Sequence, residues 1–205
     1  KLQESLPPLQ EGIALARKIQ DRGMEGRILS TMGLLEFDAG RLDAAEEHLQ
    51  QALALLLASG DRRGEAHARN YLGIVNLAAG DVEAAALDFA TVLEICREQG
   101  ERRYESQALS NLAAVKQARG ENDEAIALHR QARAMHRELG SRAFECLSTG
   151  NLGFTYQDNG DFDAAFRCYQ RTVRSARELG NLRWEGVFKG YSAGMLHECG
   201  EYRKA

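Results

Sequence analysis

Residues 72–85 read LGIVNLAAGDVEAA, and residues 152–165 read LGFTYQDNGDFDAA. Both stretches contain a Leu-Gly pair, a second glycine seven residues later and an alanine five residues after that. Met32-Gly33 and Leu112-Ala113 start the same pattern, so the unit repeats every 40 residues. A fixed period of this length is typical of a solenoid, in which each unit buries its apolar face against the next.

Glycines mark the ends of the predicted helices. They recur every 20 residues from Gly40 to Gly200, and a polar, mostly acidic residue follows each of them. Glycine ends a helix in the left-handed conformation, while Asp, Ser or Asn caps the start of the next helix. We therefore expect helices of about 16 to 18 residues joined by tight turns. Pro7 and Pro8 are expected in the opening turn of a helix that starts near Leu6.

The composition favours helices and excludes several classes of protein. The chain has 30 Ala and 26 Leu but only 17 Val, Ile and Thr together, which disfavours a sheet-rich fold. A net charge of −4 argues against a general nucleic-acid binder. No apolar run approaches the roughly 18 to 20 residues of a membrane span. Four cysteines without a CxxC pair indicate buried or half-buried thiols in a reducing cytoplasm rather than a disulfide framework or a zinc site.

The repeat resembles the tetratricopeptide repeat family. After the alanine the pattern continues with a large residue, which is Leu49, Phe89, His129 or Tyr169. The usual early tryptophan and the closing proline are missing. The 40-residue period is similar to that of Pins-type adaptors, kinesin light chain relatives and the sensor arms of bacterial signalling ATPases. The resemblance implies an all-α, right-handed superhelical solenoid of antiparallel helix pairs, whose first helices line a concave, peptide-binding groove.

We predict a single solenoid over residues 1–205, made of about five 40-residue units and cut within a repeat at both ends. Residues 1–20 would be the second helix of a preceding unit, and residues 181–205 an incomplete unit. The full units are 21–60, 61–100, 101–140 and 141–180. The apolar last helix leads us to expect a piece of a longer protein, because a natural solenoid ends in a polar cap.

No motif for catalysis, phosphate binding or metal binding occurs in the sequence, so we expect neither enzymatic activity nor a cofactor. One acidic position recurs in the first turn of every first helix, where a carboxylate meets the positive end of the helix dipole. Arginines three residues earlier are expected to pair with these carboxylates. The acidic series is Glu25, Glu65, Glu105, Glu145 and Glu185, and the arginines are Arg22, Arg62, Arg102 and Arg142.

The candidate binding surface is the face of the first helices opposite the Leu-Gly seam, which we call the first-helix face. It carries apolar, aromatic, amide and small side chains with almost no charge, which is typical of a binding surface. Its predicted ligand-binding residues are Arg27, Thr31, Leu34, Phe37, His67, Asn70, Tyr71, Ile74, Gln107, Asn111, Gln117, Asn151, Phe154, Gln157 and Tyr191. The resemblance implies that Asn111 and Asn151 hydrogen-bond the backbone of an extended ligand.

Packing is the alternative role for part of this surface. Leu34, Phe37, Ile74 and Leu77 could contact the next repeat instead of a ligand. For the stripe of Trp184, Phe188 and Tyr191 packing is the favoured role.

The function predicted from these observations is a non-catalytic, cytoplasmic interaction module of a larger protein, which binds a peptide segment of a partner. We expect no nucleic-acid or membrane partner. Self-association through exposed terminal helices is a further possibility. The alternative function is a ligand-sensing regulatory arm of a multidomain signalling ATPase or transcription regulator. The high ratio of arginine to lysine suggests a bacterial source.

Overall fold

A computed structural model describes the backbone of residues 2–198 and the side chains of residues 6–196. The described residues form ten α-helices and no strand, which confirms the all-α fold of helix pairs. The helices are α1 (Leu2–Lys18), α2 (Arg22–Asp38), α3 (Leu42–Ser59), α4 (Arg62–Ala79), α5 (Val82–Glu98), α6 (Arg102–Ala118), α7 (Asn122–Glu138), α8 (Arg142–Asp158), α9 (Phe162–Glu178) and α10 (Leu182–Glu198). The predicted turn at Gly200 lies outside the described residues.

The turns between helices follow the glycine pattern. Every periodic glycine from Gly40 to Gly180 has a positive φ, between 64° and 87°. Gln20 takes the same left-handed conformation at the one described turn that lacks glycine, with φ 58°. Asp21 caps α2 by accepting a 2.8 Å hydrogen bond from the Met24 N–H. Asp61, Asp81, Asp161 and Asn181 do the same for their helices.

Two local expectations were wrong. Ser141 makes no capping hydrogen bond to α8, so the polar residue after the glycine does not cap every helix. The first helix begins at Leu2 rather than near Leu6, and Pro7 and Pro8 therefore lie inside it. Each proline removes one hydrogen bond to the preceding turn, and α1 continues through both positions without those two bonds.

The chain divides into two compact units, Lys1–Glu101 and Arg102–Ala205. In the first unit each helix packs against the next, and α2 also touches α4. One core cluster joins α1 to α4 around Leu29 and Leu56. Another forms around Leu49 and Leu72, which belong to α3 and α4.

The second unit has an aromatic core. Its largest described cluster includes Leu152, Tyr156, Tyr169 and Phe188, contributed by α8, α9 and α10. Tyr169 has no exposed surface, and Phe188 is buried. These side chains fix α10 against α8 and α9 at the last described helix.

Close approach of paired helices depends on the small residue of each repeat. A methyl group at Gly33 would lie 2.5 Å from Leu49, one at Gly73 would lie 2.7 Å from Phe89, and one at Gly153 would lie 2.6 Å from Tyr169. Such distances are shorter than any real carbon contact. The small residue of each of these repeats therefore makes room for the large side chain of the paired helix.

The arginines that precede the acidic position form ion pairs beyond the predicted ones. Arg62 does pair with Glu65 at 2.8 Å, as predicted. However, Arg62, Arg102 and Arg142 also reach across to Glu98, Glu138 and Glu178 at the ends of the following helices. These pairs link the two helices of a repeat. The sequence prediction considered only spacings along one helix, and so missed them.

A buried network of charges stabilises the α4–α5 pair. Glu65 is only 3% exposed and is held by Arg69 at 2.9 Å. Arg69 also contacts Asp88 on α5 at 3.2 Å, and Asn76 donates to the other oxygen of Asp88. Burial raises the pKa of Asp88, against the opposing effect of its bonds to Arg69 and Asn76. Arg69 is the cation that Glu65 on its own helix and Asp88 on α5 share.

Candidate functional site

In the first unit the first-helix face lies on α2 and α4, which are packed neighbours. Arg27 and Thr31 are exposed on α2, whereas Leu34 and Phe37 are half-buried. The Arg27 guanidinium donates a 2.8 Å hydrogen bond to the Asp61 carboxylate at the start of α4. This bond neutralises the one charge predicted on the face and links its two helices.

The α4 part of the face is half-buried throughout. His67, Asn70, Tyr71 and Ile74 all keep part of their surface exposed. Burial lowers the pKa of His67, and the charge of Arg63 lowers it further, against the opposing effect of Asp61 and Glu101. His67 is therefore a neutral imidazole at neutral pH, and it adds no charge to this face.

Some of these side chains also take part in packing. Phe37 and Tyr71 pack against the cluster formed by Leu49, Leu72 and their neighbours. That cluster combines residues of the Phe37 repeat with Leu72 and Val75 of the next one, so Phe37 takes part in core packing. Both residues keep part of their surface exposed, so packing does not remove them from the surface.

In the second unit two glutamines of the face are engaged in hydrogen bonds. Gln117 on α6 donates to the Asp158 carboxylate and accepts a 3.1 Å hydrogen bond from the Thr155 hydroxyl, both on α8. Gln157 accepts a 2.8 Å hydrogen bond from the Tyr169 hydroxyl. These two glutamines position α6, α8 and α9 relative to one another. The half-buried Gln107, Asn111 and Asn151 lie on the same helices.

An aromatic cluster lies where α8, α9 and α10 meet. The ring of Phe154 is 4.7 Å from that of Tyr191 in an edge-to-face arrangement and 5.4 Å from that of Tyr169. Phe188 completes the cluster and covers Gly150, where a methyl group would lie 2.2 Å from its ring. Burial raises the pKa of Tyr169, so its phenol remains protonated as a donor to Gln157.

The exposed fraction of each side chain shows which members of this cluster pack in the core and which lie at the surface. Phe188 is 4% exposed, and Trp184 packs against the same core, as favoured for that stripe. Tyr191, in contrast, is 44% exposed. Phe154 is half-buried between them. Tyr191 and the exposed part of Phe154 are therefore the parts of this cluster that a ligand could contact.

Several ionisable groups away from the face are buried. His129 is 1% exposed, and burial lowers its pKa to about 4. Cys96 and Cys146 are buried free thiols and Cys168 is half-buried, as expected, while Cys199 lies outside the described residues. Within residues 6–196 no three His, Cys, Asp or Glu side chains are placed to hold a metal ion. None of the helices in the described part is long and apolar enough to span a membrane.

Comparisons with known proteins agree with this architecture. The family model described as tetratricopeptide repeat matches residues 24–98 and again residues 104–178. No curated protein sequence matches the chain significantly.

Among solved structures, a putative kinesin light chain from Podosopora anserina with nearly identical TPR-like repeats has a TM-score of 0.69 at 20% identity, covering 87% of this chain and 88% of its own. A Rap protein complexed with competence and sporulation factor has a TM-score of 0.79 at 18% identity, covering 90% of this chain and 54% of its own. A signal transduction ATPase with a tetratricopeptide repeat sensor, from Pyrococcus horikoshii, has a TM-score of 0.77 at 16% identity, covering 98% and 33%. This chain thus spans about half of the Rap protein and a third of the ATPase.

Proposed function

Because the chain belongs to the tetratricopeptide repeat family, we propose that it is a non-catalytic interaction module that binds a peptide segment of a partner protein on the first-helix face. Solenoids of this kind interact with other proteins through extended surfaces that their repeats form side by side. The proposal extends that general role to one surface and to one class of ligand. A cytoplasmic location remains a prediction.

The observation that carries the proposal is the chemistry of the half-buried side chains on the first helices. An idle helix face in water is expected to carry Glu and Lys. This one carries Tyr71 and Ile74 in the first unit, and Asn111, Asn151 and Phe154 in the second, all only partly covered by their neighbours. Partly exposed apolar side chains next to amides are suited to a peptide, which offers both side chains and backbone hydrogen-bonding groups.

Each class of residue has a distinct part in the proposed complex. The amides of Asn111 and Asn151 provide a donor and an acceptor each, and would bind the peptide backbone. Leu34, Phe37 and Ile74 would contact apolar side chains of the ligand, and Tyr191 would contribute an aromatic ring with a polar end. Gln117 and Gln157 would also line the site, and their hydrogen bonds to Thr155 and Tyr169 position the neighbouring helices.

A binding experiment with a selected peptide tests this assignment. A peptide obtained from a random phage-displayed library on the wild-type protein would be titrated into the wild type and into Asn111→Ala/Asn151→Ala. At about 1 kcal/mol for each lost pair of hydrogen bonds, we expect Kd to rise roughly thirtyfold. The matched control is Gln131→Ala/Gln170→Ala, which removes two exposed amides from the second helices α7 and α9. Equal affinity for all three proteins would exclude Asn111 and Asn151 from the binding site.

The second candidate function is a ligand-sensing arm, which the likeness to the ATPase with a tetratricopeptide repeat sensor supports. In such an arm, binding changes the arrangement of the repeats, whereas an adaptor binds its peptide without that change. Small-angle X-ray scattering with and without the selected peptide distinguishes the two. A change in radius of gyration on binding favours the sensor, and an unchanged value favours the adaptor.

Self-association through the terminal helices also remains a prediction. On α10, Leu182 is 79% exposed, and Val187 and Tyr191 are 45% and 44% exposed. Sedimentation velocity on the wild type and on Leu182→Glu tests it. A dimer that the glutamate variant fails to form supports the prediction, and a monomeric wild type contradicts it.

A further inference from the structure

Four arginines converge on one cleft of the second unit. The cleft has a volume of about 240 Å³ and lies between the second helices α7 and α9, with α8 beneath it. Arg130 and Arg133 come from α7, three residues apart, and Arg167 and Arg171 come from α9, four residues apart. Both spacings place the two side chains on one face of their helix. Leu152, Tyr156, Ala164 and Cys168 provide a largely apolar floor.

The charges of this cleft are only partly balanced by the protein. Arg171 has Glu145 at 3.6 Å. Arg130 donates a hydrogen bond to the Tyr156 hydroxyl and lies 5.7 Å from the centre of that ring, which holds the guanidinium in place without neutralising it. Within residues 6–196, Arg133 and Arg167 have no carboxylate within ion-pair distance.

The positive charges of the four arginines also act on the Cys168 thiol, which lies on the cleft floor. Burial raises the pKa of Cys168, and the charges of Arg133, Arg167, Arg171 and Arg130 all act to lower it. Four positive charges therefore reach a single point of the cleft.

The repeat itself does not require these arginines. The matching positions two repeats earlier, on α3 and α5, are Gln50, Leu53, Leu87 and Thr91, none of which is charged. The same helix packing is thus built in the first unit without a basic cleft. The second unit also has a small excess of Lys and Arg over Asp and Glu, although the whole chain has a net charge of −4.

We propose that this arginine cleft is a second binding site, which takes an acidic segment of a partner protein. Arginine matches carboxylates through two parallel hydrogen bonds, so four guanidinium groups around one cleft suit several carboxylates in succession. The apolar floor takes a single aliphatic side chain between them. The cleft lies on the second helices, and the site is therefore separate from the first-helix face and independent of the function proposed for it.

The test uses a fluorescein-labelled peptide of sequence Glu-Glu-Leu-Glu-Glu and its Gln-Gln-Leu-Gln-Gln counterpart, measured by fluorescence anisotropy. We expect the wild type to bind the acidic peptide at least tenfold more tightly than the amide peptide. Since the contacts are ionic, we also expect Kd to rise between about 50 and about 300 mM salt. Equal affinity for the two peptides, or no binding of the acidic one, would overturn the proposal.

Two double variants distinguish the cleft from the general charge of the protein. Arg133→Glu/Arg167→Glu should raise Kd for the acidic peptide at least tenfold. Arg103→Glu/Arg183→Glu changes the net charge equally at exposed positions outside the cleft, and should leave Kd within twofold of wild type. Circular dichroism establishes that both variants are folded. If both variants bind the acidic peptide equally more weakly than the wild type, the peptide is attracted to the charge of the whole unit. If oligouridylate displaces the labelled peptide at a lower concentration than the unlabelled acidic peptide does, the ligand is a nucleic acid. Either result contradicts the proposed site.

Discussion

Replacing His129 with leucine should remove a specific loss of stability in acid. His129 is 1% exposed on α7, and among residues 6–196 nothing hydrogen-bonds its Nδ1 atom. The equivalent position in another repeat is Leu49, so a leucine side chain suits this site. Burial lowers the pKa of His129 to about 4 from the ordinary value of 6.5.

The direction and size of the effect follow from these two pKa values. Above pH 6.5 both the folded and the unfolded protein hold a neutral imidazole, and the free energy of unfolding is unaffected. As the pH falls toward 4, the unfolded chain binds a proton that the folded protein does not, and the folded state loses stability. Between pH 7 and pH 5 the loss amounts to about 2 kcal/mol.

Urea denaturation followed by far-UV circular dichroism at pH 7 and pH 5 measures this loss. All other ionisable groups are the same in the two proteins, so their contributions cancel when the wild type is compared with His129→Leu. The wild type should lose about 2 kcal/mol more than the variant on going from pH 7 to pH 5. Equal losses in the two proteins would refute the reasoning that His129 is held neutral by burial.

Three further predictions concern stability. Gly150→Ala should lower the free energy of unfolding by about 1 to 3 kcal/mol, because the added methyl group meets the Phe188 ring. Gly190→Ala, at the same repeat position with nothing within 4 Å, should be neutral or slightly stabilising. Urea denaturation measures both. Arg69→Met should lower the free energy of unfolding by about 3 kcal/mol, because it leaves the buried Glu65 and Asp88 without their shared cation. Arg63→Met removes an exposed 3.8 Å pair and should lower it by under about 1 kcal/mol. Similar losses in the two variants would contradict the buried network. Gln20→Gly should raise the free energy of unfolding by about 1 kcal/mol, because Gln20 has a φ of 58° where the other described turns have glycine. A lower Tm for this variant would contradict that reasoning.

The fold could be predicted because each of its determinants is local and repeated. A glycine every 20 residues fixes the helix ends, and the small residue of each unit fixes how closely two helices approach. Because the pattern repeats, a local error such as the predicted start of α1, which the two prolines obscured, does not change the predicted fold. The repeat does not predict every detail, however, since a polar residue at the cap position does not always form the cap, as Ser141 shows.

The side-chain partners were harder to predict, since they depend on contacts between different helices. The sequence places Gln117 and Gln157 on the binding face, but only the structure shows that they are bonded to Thr155 and Tyr169. The links from Arg62 to Glu98 and from Arg69 to Asp88 join residues of different helices for the same reason. The arginine cleft did leave a signal in the sequence, because comparison of equivalent repeat positions shows charge at Arg133 and Arg167 where Leu53 and Leu87 stand two repeats earlier.

Site-specific photocrosslinking tests the central claim, peptide binding on the first-helix face, most directly. A benzoylphenylalanine would replace the exposed Thr31 on α2 in one protein and the exposed Gln50 on α3 in another. Each protein would be irradiated with the phage-selected peptide at equal occupancy. The account predicts crosslinked peptide from position 31 and little from position 50. Crosslinks mainly from position 50 would place the peptide on the second helices and contradict the account.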